Sequence, residues 1–359
     1  MSWILLPVNQ FSAYAQRWQQ LNSDAAKSPL LAPDFVQPLL TEFTHGKELL
    51  ACCEQDGRMQ AMAIVSPRGR GVWETFQPSQ APIGMWLHRP ELDLQPLLTG
   101  LMRELPGFPL SLGLTQLDPE LVSRPPEAKH IRTLNYIETA RITIAGSFDE
   151  YWNARGKNLR SNLKKQRAKL QKDGVTTRMQ VSRAPEDVAA GIADYGRLES
   201  AGWKASGGTA IHPDNAQGRF YRSMLEAFCR RDAGRIYRYW FNDQLVAMDL
   251  CVEGADSIII LKTTYDESVP NSLSPTLLMR EEACRQLFDE DRFNKIEFYG
   301  KVMEWHRRWT EEIRTMYHVT GYRWPVLLGL RDMLNRPAKI AGQLRNQFQS
   351  APHGEPSAE

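Results

Sequence analysis

The chain lacks any long hydrophobic run. No window approaches the roughly 18 apolar residues that a membrane-spanning helix needs. The opening MSWILLPVNQF has no basic residue ahead of its short apolar stretch, which is not the build of a signal peptide. Cysteine is scarce and unpatterned. Cys52 and Cys53 are adjacent, while Cys229, Cys251 and Cys284 stand far apart, with no CxxC pair and no Cys/His ligand spacing. That argues against a structural zinc site and for a reducing compartment. An excess of one charge is lacking too. Lys and Arg number 44 against 42 Asp and Glu, a net charge of +2, so any steering of an anionic partner is local and DNA is not expected. The motifs GxSxG, GxxxxGK(S/T) and GxGxxG are missing, and no Ser-His-Asp order stands out. These absences leave hydrolase elbows and the common nucleotide-binding folds unsupported. We expect a cytoplasmic protein without a metal.

What is present suffices for two cores. The 359 residues are 42% hydrophobic and 24% charged, which suits two globular domains of ordinary size. The first half reads as a strand over 3–6, a helix over 11–21 and a hairpin over 48–54 and 58–66 joined by QDG. Two extended runs over 71–77 and 83–88, a helix over 91–105 and a strand over 108–114 follow. Residues 118–132, polar and Pro-rich, read as a connector. The second half reads as a strand within 135–146, one helix over 148–172 ending at KDG, and a strand over 175–181. Helices over 186–201 and 214–231 come next, then strands over 235–241, 245–253 and 257–264, a helix over 275–288, and strands over 295–299 and 313–319. The order of hairpin, helix and strand occurs twice. It predicts two copies of one α/β unit, at 1–132 and 133–325, with a basic terminal helix and a disordered tail over 326–359.

Five stretches carry candidate chemistry. RGKNLRSNLKKQRAKLQK, residues 155–172, holds eight cations and no acid, with a narrow stripe of Leu159, Leu163 and Leu170. It is either a solvated helix docked by its leucines or a wall for phosphate, an acidic sugar or a lipid head group. It has no interleaved aromatics, which weighs against single-stranded nucleic acid. In LESAGWKASGGTAI, residues 198–211, Gly202, Gly207 and Gly208 allow backbone shapes that other residues resist, beside Glu199, Trp203 and Lys204. Asp249 interrupts an apolar strand and needs a partner if buried; Lys262 across the sheet is one choice. In LKTTYDESVPNSLSPTLLM, residues 261–279, a strand gives way to a loop and then to a helix start at Ser274-Pro275. Unpartnered amides and the helix dipole favour an anion there. In IEFYGKVMEWHRRW, residues 296–309, Tyr299 at a strand exit is placed to donate a proton, and His306 reads as a packing residue.

Together, the stretches 198–211, 261–279 and 296–309 resemble the acetyltransferase family named for the cellulose-biosynthesis protein CelD, within the GNAT superfamily. The resemblance covers about residues 145–320, and the doubled order is similar to the tandem-GNAT transferases of the FemAB type. It implies tandem GNAT-like α/β domains, each a mixed, mostly antiparallel sheet flanked by helices. It also implies direct attack of an amine on an acyl-CoA thioester, the amine belonging to a small molecule or a saccharide such as an exopolysaccharide precursor. Lys262, Thr263 and Thr264 would line the pantetheine, and the turn of Ser274, Pro275, Thr276 and Leu277 would hold the pyrophosphate. Glu199 or Asp249 would accept the amine proton, and Tyr299 would protonate the thiolate. Trp203, Trp309, Tyr265 and Asp266 would line the acceptor site, and Lys204, Lys262 and the basic helix with Arg160 and Lys164 would hold the acceptor or the donor phosphates. The sequence departs from the family where a glycine-rich Arg/Gln-x-x-Gly-x-Gly/Ala loop is usual: here the turn is SLSPTLL, with Thr276 in place of a common glycine. Two alternatives accompany this reading. One is a non-catalytic GNAT-like module on an anionic polymer or peripheral membrane surface. The other is an aminoacyl-tRNA-dependent transferase of the FemAB type.

Overall fold

A computed structural model describes residues 2–201, 211–270 and 272–328. The first half comprises β1 (Ser2–Pro7), α1 (Phe11–Asp24), α2 (Pro33–Phe43), β2 (Leu49–Gln55), β3 (Arg58–Gly69), β4 (Val72–Thr75), β5 (Trp86–His88), α3 (Leu94–Glu104) and β6 (Ser111–Leu117). The second opens with β7 (Ile131–Thr143), α4 (Phe148–Asn153), α5 (Lys157–Lys172), β8 (Thr177–Ser182), α6 (Val188–Ala201) and α7 (Ala216–Cys229). It continues through β9 (Gly234–Phe241), β10 (Gln244–Glu253), β11 (Ser257–Tyr265), α8 (Pro275–Glu290), β12 (Lys295–Phe298), α9 (Glu304–Trp309) and β13 (Ile313–Tyr322).

Among the described residues these strands form one sheet, ordered β1-β2-β3-β4-β6-β13-β7-β12-β11-β10-β9-β8, with β5 on β3. Each half is an antiparallel meander followed by a helix and a strand returning parallel to the last: β4 with β6, and β11 with β12. The outer partners are exchanged. β7 leaves the first half and pairs with β12, while β13 comes from the chain's far end to pair with β6. The division expected at 132/133 falls inside β7, so the halves share a continuous ladder. The mixed α/β architecture expected from the sequence is the observed one.

Three cores cover the sheet. On one face, α1 and α2 from the first half and α6 and α7 from the second share a core with Trp18, Phe35, Leu39, Phe220, Met248 and Leu250. Phe35 meets Phe220 edge-on, their ring centres 5.5 Å apart. On the other face, α3 covers the first half, and α4, α5 and α8 cover the second. Two elements differ from the sequence reading. Pro33 and Pro38 break the sequence pattern of α2, yet Phe35, Val36, Leu39 and Leu40 bury it. The helix expected over 148–172 is two: a Ser147–Glu150 capping box starts α4, and Gly156 caps a separate α5. That α5 docks through Leu159, Leu163 and Leu170, each worth about 1.5–3 kcal/mol when buried, so its lysines are not needed to hold it.

Candidate functional site

β11 and β12 pair only from Ser257 to Ile259, opposite Lys295 to Glu297, and then diverge. The edge of β11 from Ile260 to Tyr265 has no β12 partner. A cleft of about 760 Å³ opens there, lined by Thr263, Tyr265, Asp266, Ser274 to Leu277, Arg280 and Trp305, with Glu267, Val269 and Leu273. The equivalent gap in the first half is stitched shut. Thr75 Oγ1 and Thr115 Oγ1 are 2.8 Å apart, and the Thr115 amide donates to Thr75 Oγ1 at 3.0 Å. The Gly84 amide donates to the Thr115 carbonyl at 3.1 Å. A Cβ on Gly84 would come within 2.5 Å of both threonines, so only glycine permits the closure. The adjoining cavity measures about 10 Å³.

A bulge in β11 decides which side chains face the cleft. The register opposite β10 shifts between Leu250 and Cys251, so that Lys262 faces Leu250 and Thr263 faces Asp249. This corrects the expected Asp249–Lys262 pair. Asp249, fully buried, is held by Arg280, a residue 31 positions away on α8. Arg280 Nη1 lies 2.7 Å from Asp249 Oδ2, and Nη2 lies 3.2 Å from Oδ1. The Thr263 hydroxyl donates to Oδ1 at 2.6 Å. With both oxygens engaged and no exposure, Asp249 positions Arg280 and is not placed to take a proton from a substrate. Thr263→Val is expected to destabilise the fold by about 1.5–3 kcal/mol in urea unfolding, because it strips one bond from a buried carboxylate.

Lys262 and Thr264 point to the opposite face, that of the shared core. There Glu199, buried at the end of α6, accepts from the Ile211 amide at 2.7 Å, and Lys262 Nζ lies 4.0 Å from its other oxygen. Tyr195, one turn earlier on α6, is fully buried, and its hydroxyl has no hydrogen-bond partner among the described residues. Tyr299 packs on this same core from the β12 side and donates to Asp118 at 2.8 Å. Burial first, then the carboxylates of Asp118 and Glu297, raise its phenol well above the ordinary value, so it keeps its proton. The structure therefore brings Glu199 and Tyr299 to one face and Asp249 to the other. Trp203 and Lys204 lie outside the described residues.

Trp309 does not wall the cleft. It is fully buried against Trp152, and its carbonyl receives Tyr151 Oη at 2.7 Å. Trp305, one turn earlier on α9, lines the cleft instead. Behind it His306 stacks on Trp305 and accepts the Met303 amide on Nδ1 at 2.9 Å. Burial first, then Arg280, push its pKa down to about 4. A neutral His306 stabilises the fold fully above pH about 6.5, and this contribution is lost as pH falls toward 4, where the unfolded chain takes up a proton first. Half-buried His88, also lowered to about 4 by desolvation, acts in the same direction. Urea midpoints should fall across that window, and His306→Asn should flatten the fall.

The first turn of α8 offers few amides to an anion. The Ser274 amide donates to the Gln166 side chain of α5 at 2.8 Å. Pro275 has no N–H, and the Leu277 and Leu278 amides return to the Ser274 carbonyl at 3.0 and 3.1 Å. Arg160 and Lys164 line a separate cavity on the outer flank of α5. Arg280, Trp305 and Gln166 were invisible as site residues in the sequence. The one signal was Asp249, whose burial demanded a cation.

Residues 157–307 match the family described as an acetyltransferase (GNAT) domain. No curated protein matches the sequence. Among solved structures, the C-terminal domain of a candidate lysylphosphatidylglycerol synthetase from Agrobacterium fabrum is similar at 14% identity. Its TM-score is 0.54, over 86% of this chain and 92% of that one. FemX is similar at 9% identity and TM-score 0.54, over 89% of this chain and 97% of that one. At these identities the likeness is one of fold. Among the described residues no helix is long and apolar enough to cross a membrane. The match over residues 157–307 supports an N-acyltransferase of the GNAT type.

Proposed function

We propose that the chain transfers an acyl group from acyl-CoA to an amino group, the amine belonging to a saccharide such as an exopolysaccharide precursor. The observation that carries this reading is the open β11–β12 cleft, set against its stitched counterpart in the first half. An acyl-pantetheine arm threaded between the strands enters from the α8 side and ends beside the face that holds Glu199. The amine approaches on that face. Glu199, steadied by the Ile211 amide and facing Lys262, accepts the proton as the amine attacks the thioester carbon. The carbon–sulfur bond then breaks, and Tyr299, which keeps its proton, supplies it to the thiolate. Arg280 and Trp305 line the cleft wall. The saccharide acceptor rests on the CelD-type resemblance, and the first half serves as a closed copy that frames the acceptor face.

The test is calorimetric titration with acetyl-CoA, followed by thiol release across a panel of amines that includes amino sugars. Binding with amine-dependent thiol release supports the reading. No binding of acetyl-CoA, and no release with any amine, removes it.

A further inference from the structure

The cleft has an unusual shortage. A phosphate-bearing donor needs donors or cations for its phosphates, yet the first turn of α8 has spent most of its amides, and among the described residues lining the cleft two acids, Asp266 and Glu267, stand against one cation. That cation, Arg280, is already neutralised by Asp249. Cations are concentrated one wall away. Between the start of α5 and α9 lies a second cavity of about 740 Å³, lined by Arg155, Lys165, Arg307 and Arg308 against Glu304 and Glu311. Helix α9 lines both cavities. Trp305 of α9 lines the cleft while its neighbours Glu304, Arg307 and Arg308 line this trough. Gln166, which holds the Ser274 amide, also donates to Asn162 at 3.3 Å, and Asn162 lines the trough.

Resting on the acyl-CoA reading, we infer that the donor's phosphates are bound in this trough between α5 and α9, and not by the first turn of α8. Its cations are suited to the task. Arg155 is preset: Nη1 donates to the Trp309 carbonyl at 2.9 Å, and the guanidinium lies over the Tyr151 ring at 4.9 Å. Lys165 is exposed and makes no ion pair among the described residues. Arg307 and Arg308 pair with Glu138 and Glu304 in exposed contacts. Such pairs are worth little, so an incoming phosphate displaces them readily. The helix α5 begins at Gly156 without a side-chain cap and without an acid in its first turn, so its dipole adds to the attraction. Its lysines carry no packing role, because three leucines dock the helix.

The test compares wild type with Lys165→Glu and Arg308→Glu, and with Lys172→Glu at the far end of α5, by calorimetry with acetyl-CoA and, separately, inorganic pyrophosphate. Both trough variants replace exposed side chains, and circular dichroism confirms their folding. Each is expected to weaken acetyl-CoA about ten-fold or more, with pyrophosphate weakened in parallel, and Lys172→Glu to behave as wild type. Affinity should also fall with added salt. Acetyl-CoA binding that survives both trough substitutions overturns the inference and leaves the acyl-CoA reading standing. Pyrophosphate binding that is lost in the trough variants, with no acetyl-CoA binding to wild type, keeps the phosphate site and removes acyl-CoA as the donor. Binding of neither ligand overturns both.

Discussion

Arg314→Met is expected to lower the unfolding free energy by about 3–5 kcal/mol, the usual penalty for removing one partner of a buried ion pair. Arg314 sits on β13, in the middle of the sheet, with its side chain 11% exposed. It donates to Asp118 through Nε at 3.0 Å and Nη2 at 2.7 Å, and Nη2 lies 2.8 Å from Glu297. Asp118 follows β6, and Glu297 lies on β12. One guanidinium thus ties the first half, the exchanged strand and the second half together. Methionine would leave two carboxylates buried together, with the Tyr299 hydroxyl and the Glu120 amide still donating to Asp118. The pH dependence has a definite sign. Burial raises the Glu297 pKa, and Arg314 opposes that rise. Without the arginine the rise grows, so Glu297 favours the protonated folded state. The stability this confers is present below the unfolded carboxyl pKa and is lost as pH climbs through the folded one. The defect in urea unfolding should therefore be larger at pH 8 than at pH 5. Arg314→Met combined with Asp118→Asn and Glu297→Gln should recover much of the loss, because no buried charge then lacks a partner. An unchanged urea midpoint in the single variant would refute this account of the central network.

Glu199→Gln is expected to reduce kcat about 10²–10⁴-fold while leaving acyl-donor binding close to wild type. The glutamine keeps an oxygen for the Ile211 amide, so the local fold at the end of α6 survives. It cannot take a proton from the attacking amine. The deficit should shrink as pH approaches the amine's own pKa, where solvent has already removed the proton. In the proposed mode only the end of the donor arm reaches the Glu199 face, so donor affinity should not follow kcat. A variant with wild-type kcat at neutral pH would take the base role away from Glu199. A parallel loss of kcat and donor binding would mean that the residue shapes the cleft.

Much of the architecture was legible before any coordinates. Alternating apolar residues placed most strands to within a few residues, and the doubled order of elements predicted the two similar halves. The start of α8 at Ser274-Pro275 and its position after β11 were readable because the Pro and the loop composition are local signals. The reading failed where the pattern was not local. Pro38 hid α2, and Gly156 split a helix that had looked continuous.

The site divides in the same way. Sequence by itself determined that a strand, a loop and a helix start meet at residues 257–277, that α5 is a cationic helix on a leucine stripe, and that Asp249 must find a partner if buried. Those are properties of chain neighbours and of side-chain chemistry, and periodicity reports them. Tertiary structure alone decided that the partner is Arg280, because a bulge shifts the register at Leu250/Cys251 and turns Lys262 to the other face. It alone decided that the first half's cleft is closed by Gly84 and two threonines, and that Gln166 occupies the Ser274 amide. It alone placed Glu199 and Tyr299 on one face across an interval of a hundred residues. Each of these depends on registers and contacts between segments far apart in the chain, and a single sequence carries no local mark of them.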